Sequence, residues 1–209
     1  MRLKPKYICS CSGGVDSVVL CHYLKSKGQL DSIFHFVYSD PQDFSLSALR
    51  IVNYLHQTLN VPIFIGEEDY DFDGNLEGNW RVQRYKKLAE VCKERGTMAA
   101  VGHHMDDQMT SYVLSKLKNS SRCFIPISAE LYGAKVVRPF SMLRWNKEDI
   151  KKYSKENNLI YVEDPFNLVG DRSNVDLCLD RLKRIKQFKN IFSKTYEEWI
   201  NKNYKNFWI

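Results

Sequence analysis

The sequence predicts an α/β protein built on a doubly wound parallel sheet, and three observations carry that prediction. Short apolar runs alternate with amphipathic helical stretches along most of the chain, the pattern of strand–helix–strand units. Two of those runs end abruptly in polar residues, Ser10–Ser17 after the first and His103–Asp107 after a later one. Polar groups collect in this way at the carboxyl edge of a parallel sheet, where such folds bind ligands. Finally, Ser12-Gly13-Gly14-Val15-Asp16-Ser17 lies between the first strand and the first helix. Paired glycines there let the backbone turn its N–H groups toward an anion, and the following helix aims its positive end at the same point.

The elements follow in order. Strands are expected at 6–11, 32–38, 62–65 and 98–102. Helices are expected at 17–27, 45–59, 80–95, 106–117, 147–157 and 174–190. The first helix carries Val18, Val19, Leu20, Tyr23 and Leu24 and ends before Gly28, a usual C-terminal cap. Ser45-Leu46-Ser47 caps the second, in which Leu49, Val52, Leu55 and Leu59 recur at helical spacing. The polar stretch from Gly66 to Asn79 reads as a long loop beside the site, and Gly96 closes the third helix. Asp106 opens a helix containing Tyr112, Val113, Leu114 and Leu117. Pro139 and Pro165 mark later turns that bracket the helix at 147–157. Residues 1–175 are expected to form the nucleotide-binding catalytic domain, and 176–209 a basic, aromatic helical tail.

Composition bounds the rest. The 209 residues suit one buried domain with a small appendage. No apolar run approaches bilayer length. Met1-Arg2-Leu3-Lys4-Pro5-Lys6 passes directly into the first strand, leaving no room for a secretory signal, so a cytoplasmic protein without a membrane partner is expected. Cys9, Cys11, Cys21, Cys92, Cys123 and Cys178 form no Cys-x-x-Cys pair. They read as reduced, mostly buried thiols rather than zinc or iron–sulfur ligands.

The net charge of +6 is concentrated in residues 181–209, where eight Lys/Arg face two acids. Arg181, Arg184, Lys186 and Lys189 are the candidates there for a nucleic-acid backbone. Phe188, Phe192, Tyr196 and Trp199 interleave with them, as suits unstacked bases. Equally, the aromatic face packs on the domain and the charges are solvated.

Ser-Gly-Gly-Val-Asp-Ser resembles the signature of the PP-loop family, the N-type ATP pyrophosphatases with the adenine nucleotide alpha-hydrolase-like fold. Four further segments extend the likeness: Gly74-Asn75-Leu76-Glu77 with Arg81-x-x-Arg84-Tyr85, His103-His104-Met105-Asp106-Asp107-Gln108, Arg138-Pro139-Phe140, and Glu163-Asp164-Pro165-Phe166-Asn167. In that order they resemble the tRNA(Ile)-lysidine synthetases. Members of that family adenylylate the wobble cytidine of tRNA(Ile) with ATP and Mg²⁺, and the ε-amine of free lysine then displaces AMP. The resemblance implies that Ser12, Gly13, Gly14, Val15, Asp16, Ser17, His103 and Arg138 bind ATP, and that Asp16 and Asp107 lie at the metal. It also implies catalytic roles for Asp16, Asp107, Arg81 and Arg84. Expected partners are tRNA and free lysine, and a homodimer is compatible with the sequence. The plainer alternative for the histidines and aspartates is a helix cap with packed turn residues. For the arginines it is pairing with surface acids such as Glu77.

Several positions depart from the family pattern. Thr110 stands where the family carries a glutamate that is expected to hold the lysine ammonium. Three residues from Asp107, it should face the same pocket but offer only a neutral bond, so lysine should be held mainly by Asp107 and more weakly. His35-Phe36-Val37-Tyr38-Ser39-Asp40 replaces a His-Asn-His-like run, and Asp171-Arg172-Ser173-Asn174 only loosely echoes the family's arginines. The basic tail stands where fuller members carry further tRNA-binding domains. The alternatives are another PP-loop tRNA-modifying enzyme, such as a thiolase, and a non-catalytic nucleotide- or RNA-binding relative.

Overall fold

Alternation along the first strand decides how the sheet is covered. Tyr7, Cys9 and Cys11 point into one apolar layer and Ile8 into the other, because successive strand residues face opposite sides. A computed structural model describes residues 5–38, 44–68, 76–163, 182–183 and 185–204. Its elements run β1 (Tyr7–Ser10), α1 (Val15–Ser26), β2 (Leu30–Val37), α2 (Phe44–Leu59), β3 (Ile63–Glu67), α3 (Leu76–Arg95), β4 (Met98–Ala100) and α4 (Met105–Leu117). They continue with β5 (Ser128–Leu131), β6 (Ala134–Val137), α5 (Pro139–Leu143), α6 (Lys147–Glu156) and α7 (Lys186–Tyr204).

The six strands lie in the order β3-β2-β1-β4-β6-β5. All neighbours pair in parallel except β5 with β6. Strand order therefore reverses between β1 and β4, which opens a crevice at their carboxyl ends. On one face Val18, Leu20 and Leu24 of α1 pack with Val52 and Leu55 of α2 and Ile150 of α6. On the other, Tyr85, Leu88 and Cys92 of α3 pack on Ile8, Phe34, Phe36 and Val136. The doubly wound α/β architecture expected from the sequence is the one observed.

Several features differ from the sequence expectation. α3 starts at Leu76, inside the stretch from Gly66 to Asn79 expected as a loop, and α5 forms from Pro139, where only a turn is expected. The β5–β6 hairpin is not among the expected strands. Its turn is Tyr132-Gly133, both with positive φ (52° and 80°), the two-residue geometry that matches the twist of paired strands. The last helix starts at Lys186 and runs to Tyr204, well beyond the expected end at Asn190. Residues 174–181 lie outside the described residues.

A third apolar cluster explains that extension. Phe192 and Tyr196 of α7 are buried with Tyr112 of α4 and Phe124, and Phe188 and Trp199 pack around them. Tyr112 and Phe124 stack at 5.4 Å, and Tyr196 meets Phe124 edge-on at 5.3 Å. The Tyr196 hydroxyl donates to the Ser141 carbonyl at 2.9 Å. The aromatic stripe of the tail thus packs on the domain, while Lys186, Lys189, Lys194 and Lys202 stay exposed. Among the described residues, no helix is long and apolar enough to cross a membrane.

Candidate active site

The loop after β1 is shaped by its neighbours before any ligand arrives. The Cys11 amide donates to Phe34 O at 2.8 Å, and His35 Nδ1 donates to Cys11 O at 2.8 Å. Gly13 has φ +83°, and a Cβ there would stand 3.0 Å from Ala48 Cα. The left-handed turn and the close pass of α2 both require glycine. The Ser17 hydroxyl donates to Gly14 O (3.0 Å) and accepts from the Ser12 amide (3.1 Å), bracing the turn from inside. No side chain caps α1 at Gly14. As at any helix start, its first N–H groups lack an intrahelical acceptor, and Gly14, Val15, Asp16 and Ser17 line the crevice, the arrangement of an anion cradle.

The other walls come from distant parts of the chain. The Val162 amide donates to Gly13 O at 3.0 Å, laying the segment after α6 along the loop and bringing Glu163 to the rim. Gly102, after β4, passes so close to α1 that a Cβ would stand 3.2 Å from the Asp16 carbonyl carbon. The cleft has a volume of about 730 Å³, enough for a nucleotide-sized ligand. Ser12, Gly14, Val15, Asp16, Ser17, Arg84, His103 and Asp107 line it, joined by Tyr38, Lys147, Lys151 and Glu163.

Behind its lining a capping box fixes Asp107 beside the buried His104 imidazole, with Asp16 on the same ring nitrogen. His104 is the N-cap of α4: its Nδ1 accepts from the Asp106 amide (3.2 Å), and Asp107 Oδ2 accepts from the His104 amide (2.9 Å). With Nδ1 accepting, the proton of the neutral ring sits on Nε2. That atom lies 3.7 Å from Asp16 Oδ1 and 3.6 Å from Asp107 Oδ2. Lys147 Nζ donates to both Asp16 oxygens, at 2.6 and 2.8 Å. Asp106 serves the framework instead, accepting from the Lys147 amide at 2.6 Å and pairing with Lys183 at 2.5 Å.

Not every expected residue reaches the cleft. Arg84 does, with Nη1 donating to the Tyr38 hydroxyl at 2.8 Å. Arg81 stands outside, exposed, with its guanidinium 5.3 Å from the Tyr85 ring centre. Arg138, expected to face the nucleotide, is instead buried one layer behind: its Nη1 donates to Pro126 O at 2.6 Å and it hydrogen-bonds Tyr85, a cleft-wall residue. Burial pulls its guanidinium below the ordinary range. Thr110 is buried and lines a smaller cavity of about 300 Å³ that runs along α4 from Asp107, which is common to both cavities. Lys186 and Lys189 lie on the exposed face of α7, away from the cleft lining. Arg181, Arg184, Asp40, Gly74, Asn75 and Asp164–Asn174 lie outside the described residues. Sequence reasoning missed Lys147, Lys151 and Tyr38. The Asn146–Asp149 capping box that starts α6 is readable from the sequence, but not that this helix start faces α1.

The donors fit a magnesium ion. Mg²⁺ takes hard oxygen ligands and is commonly held by one or two carboxylates plus substrate phosphates. Asp16 and Asp107 offer such carboxylates on one cleft, where Asp16 already pairs with the Lys147 ammonium. Among the described residues no cluster of three or more His, Cys, Asp or Glu could hold a metal by itself, so phosphate oxygens would have to complete the shell. Four of the described thiols are held protonated: burial pushes Cys9 and Cys21 up, the Cys21 contact and burial push Cys11 up, and burial pushes Cys92 to about 11.

His35 makes the fold beneath the loop sensitive to pH. Burial lowers its pKa, opposed by the bond to Cys11 O. The unfolded chain therefore takes up a proton near the ordinary histidine value of about 6.5, where the folded chain still resists it. Stability is fully present above that value and is lost as pH falls through the lower folded pKa. The melting temperature of the wild type should drop more steeply between about pH 7 and pH 5 than that of His35→Gln. Parallel profiles would refute this role.

A family model described as the PP-loop domain matches residues 2–173. The chain belongs to that family. The matched residues include the Ser12–Ser17 segment at the strand reversal. The chain is 31% identical over 176 residues to the tRNA(Ile)-lysidine synthase of Wolbachia pipientis wMel, covering 79% of this chain and 39% of that protein. It is 27% identical over 188 residues to the tRNA(Ile)-lysidine synthase of Mesomycoplasma hyopneumoniae (strain 232), covering 87% of this chain and 62% of that one. The chain thus spans about two-fifths to three-fifths of these curated relatives. Among solved structures, the U34-tRNA thiolase NcsA from Methanococcus maripaludis with its [4Fe-4S] cluster matches with a TM-score of 0.73 at 17% identity, covering 96% of this chain and 73% of that one. At that identity the match reports the PP-loop fold alone.

Proposed function

We propose that the chain is an ATP-dependent tRNA-modifying ligase that joins lysine to the wobble cytidine of tRNA(Ile) through an adenylylated intermediate. The observation that carries this reading is the convergence of the PP-loop amides, Asp16 and Asp107 on one cleft at the strand reversal. The names of the relatives support the tRNA and lysine parts. In this reading the α1 first turn holds the pyrophosphate of ATP, and Arg84, oriented by Tyr38, meets a phosphate or the RNA from the opposite wall. Mg²⁺, held by Asp16 and Asp107 with phosphate oxygens, would neutralise charge on the departing pyrophosphate. Asp107, fixed by the His104 amide, orients the incoming ammonium and accepts its proton. The Thr110 hydroxyl, one helical turn from Asp107 and buried, is neutral and supplies no charge to that ammonium. The exposed lysines of α7 extend a basic surface toward the RNA backbone, which makes binding salt-dependent.

A sulfur-transfer chemistry is less well served. Four of the five described cysteines are buried, and their thiols are pushed up, away from the thiolate needed for transfer. Nucleoside mass spectrometry after incubating the chain with ATP, Mg²⁺, lysine and tRNA(Ile) tests the proposal. The expected product is cytidine bearing one lysine with loss of water. A thiolated base with a sulfur donor, or no ATP-dependent product with any donor, would overturn it.

A further inference from the structure

We propose that Lys147 stands in for the divalent cation on Asp16 and transfers its charge to the nucleotide's phosphates when that cation binds; this rests on reading the cleft as an ATP site. The ammonium engages both carboxylate oxygens of Asp16, at 2.6 and 2.8 Å, and so covers the atoms a hard cation would use. An ammonium and a divalent ion compete for those oxygens, and one must leave for the other to bind.

Lys147 is built to leave without disturbing its surroundings. Its backbone is fixed: the amide donates to Asp106 Oδ2, and Asn146 and Asp149 cap α6 reciprocally. Only the four-carbon stem has to move, and the side chain is 36% exposed toward the cleft it lines. A compact ammonium on a flexible stem suits a phosphate group whose position shifts during transfer. The position also runs against helix electrostatics. Glu148 and Asp149 complement the positive end of α6, whereas a lysine at the first helical residue opposes it. Local helix stability therefore does not account for Lys147, while the pairing with Asp16 and the phosphate-facing cleft do. Asp106, through its bond to the Lys147 amide and its pair with Lys183, is a positioning residue for this exchange.

Equilibrium binding on the full chain separates the two halves of the exchange. Mn²⁺ alone, followed by electron paramagnetic resonance, reads the competition at Asp16; ATP in saturating Mg²⁺, followed by calorimetry, reads the phosphate contact. Lys147→Met should bind Mn²⁺ several-fold more tightly and ATP about tenfold more weakly, the scale of one charge-assisted bond. Lys147→Arg should keep both constants near wild type, and melting curves confirm that each variant is folded. A Lys147→Met protein with unchanged or weaker Mn²⁺ affinity, or with wild-type ATP affinity in saturating Mg²⁺, overturns the proposal while leaving the ATP site intact. Wild-type protein that binds no ATP under any condition overturns the ATP reading and this proposal with it.

Discussion

Asp16→Ala is expected to lower ATP-dependent turnover by about 10²–10³-fold or more, the scale of losing one preorganised charge in an active site. The side chain is 33% exposed and bonds Lys147 rather than the core, so the melting temperature should stay close to wild type. Removing this carboxylate takes away a candidate cation ligand and leaves the Lys147 ammonium without its partner, so the defect should lie in turnover as well as nucleotide affinity. Pyrophosphate release in the presence of tRNA, read beside a thermal melt, checks both parts. Near-normal turnover in a folded Asp16→Ala protein would mean that the Ser12–Ser17 loop is not the ATP site.

Phe192→Ala should cost about 3–5 kcal/mol of stability, the usual range for deleting a buried phenyl ring. Phe192 is 3% exposed and touches the rings of Tyr112, Phe124 and Tyr196, so its loss leaves a cavity under α7. Lys189→Ala and Lys194→Ala, on the exposed side of the same helix, should change stability by no more than about 0.5 kcal/mol. Denaturant melts of the three variants decide the matter. Equal, small effects would show that the aromatic face of α7 is not docked in solution.

The contrast between the two faces of α7 also marks what can be read in the sequence. Phe188, Phe192, Tyr196 and Trp199 recur at helical spacing, so a helix with an aromatic stripe is legible. Which surface it covers is not, because Tyr112 and Phe124 reach it from elements far away in sequence. The PP-loop is legible for a related reason: strand, paired glycines and helix are contiguous, and their backbone geometry is local. Lys147 reaches Asp16 across 131 positions, and nothing in its neighbourhood announces that encounter. Arg138 shows the converse. Arg-Pro-Phe is a recognisable motif, yet the chain turns the guanidinium beneath Tyr85 rather than into the cleft. Tyr132-Gly133 stands in the sequence as a glycine between short runs of small and apolar residues. The flanking strands are only four residues each, too short for their alternation to stand out.

The docking of α7 also bears on the entropy of the reaction. Asp107 rides on the first turn of α4, which is held at its start by the reciprocal cap with His104 and along its flank by the aromatic cluster. Ordering that helix is therefore completed when the protein folds, and little reorganisation remains when substrates arrive. A carboxylate that is already immobile meets its partner with a higher effective concentration than one that must first be gathered from a mobile loop. On this view the tail shortens the conformational search at the reacting centre, even though none of its described aromatic side chains lines the cleft.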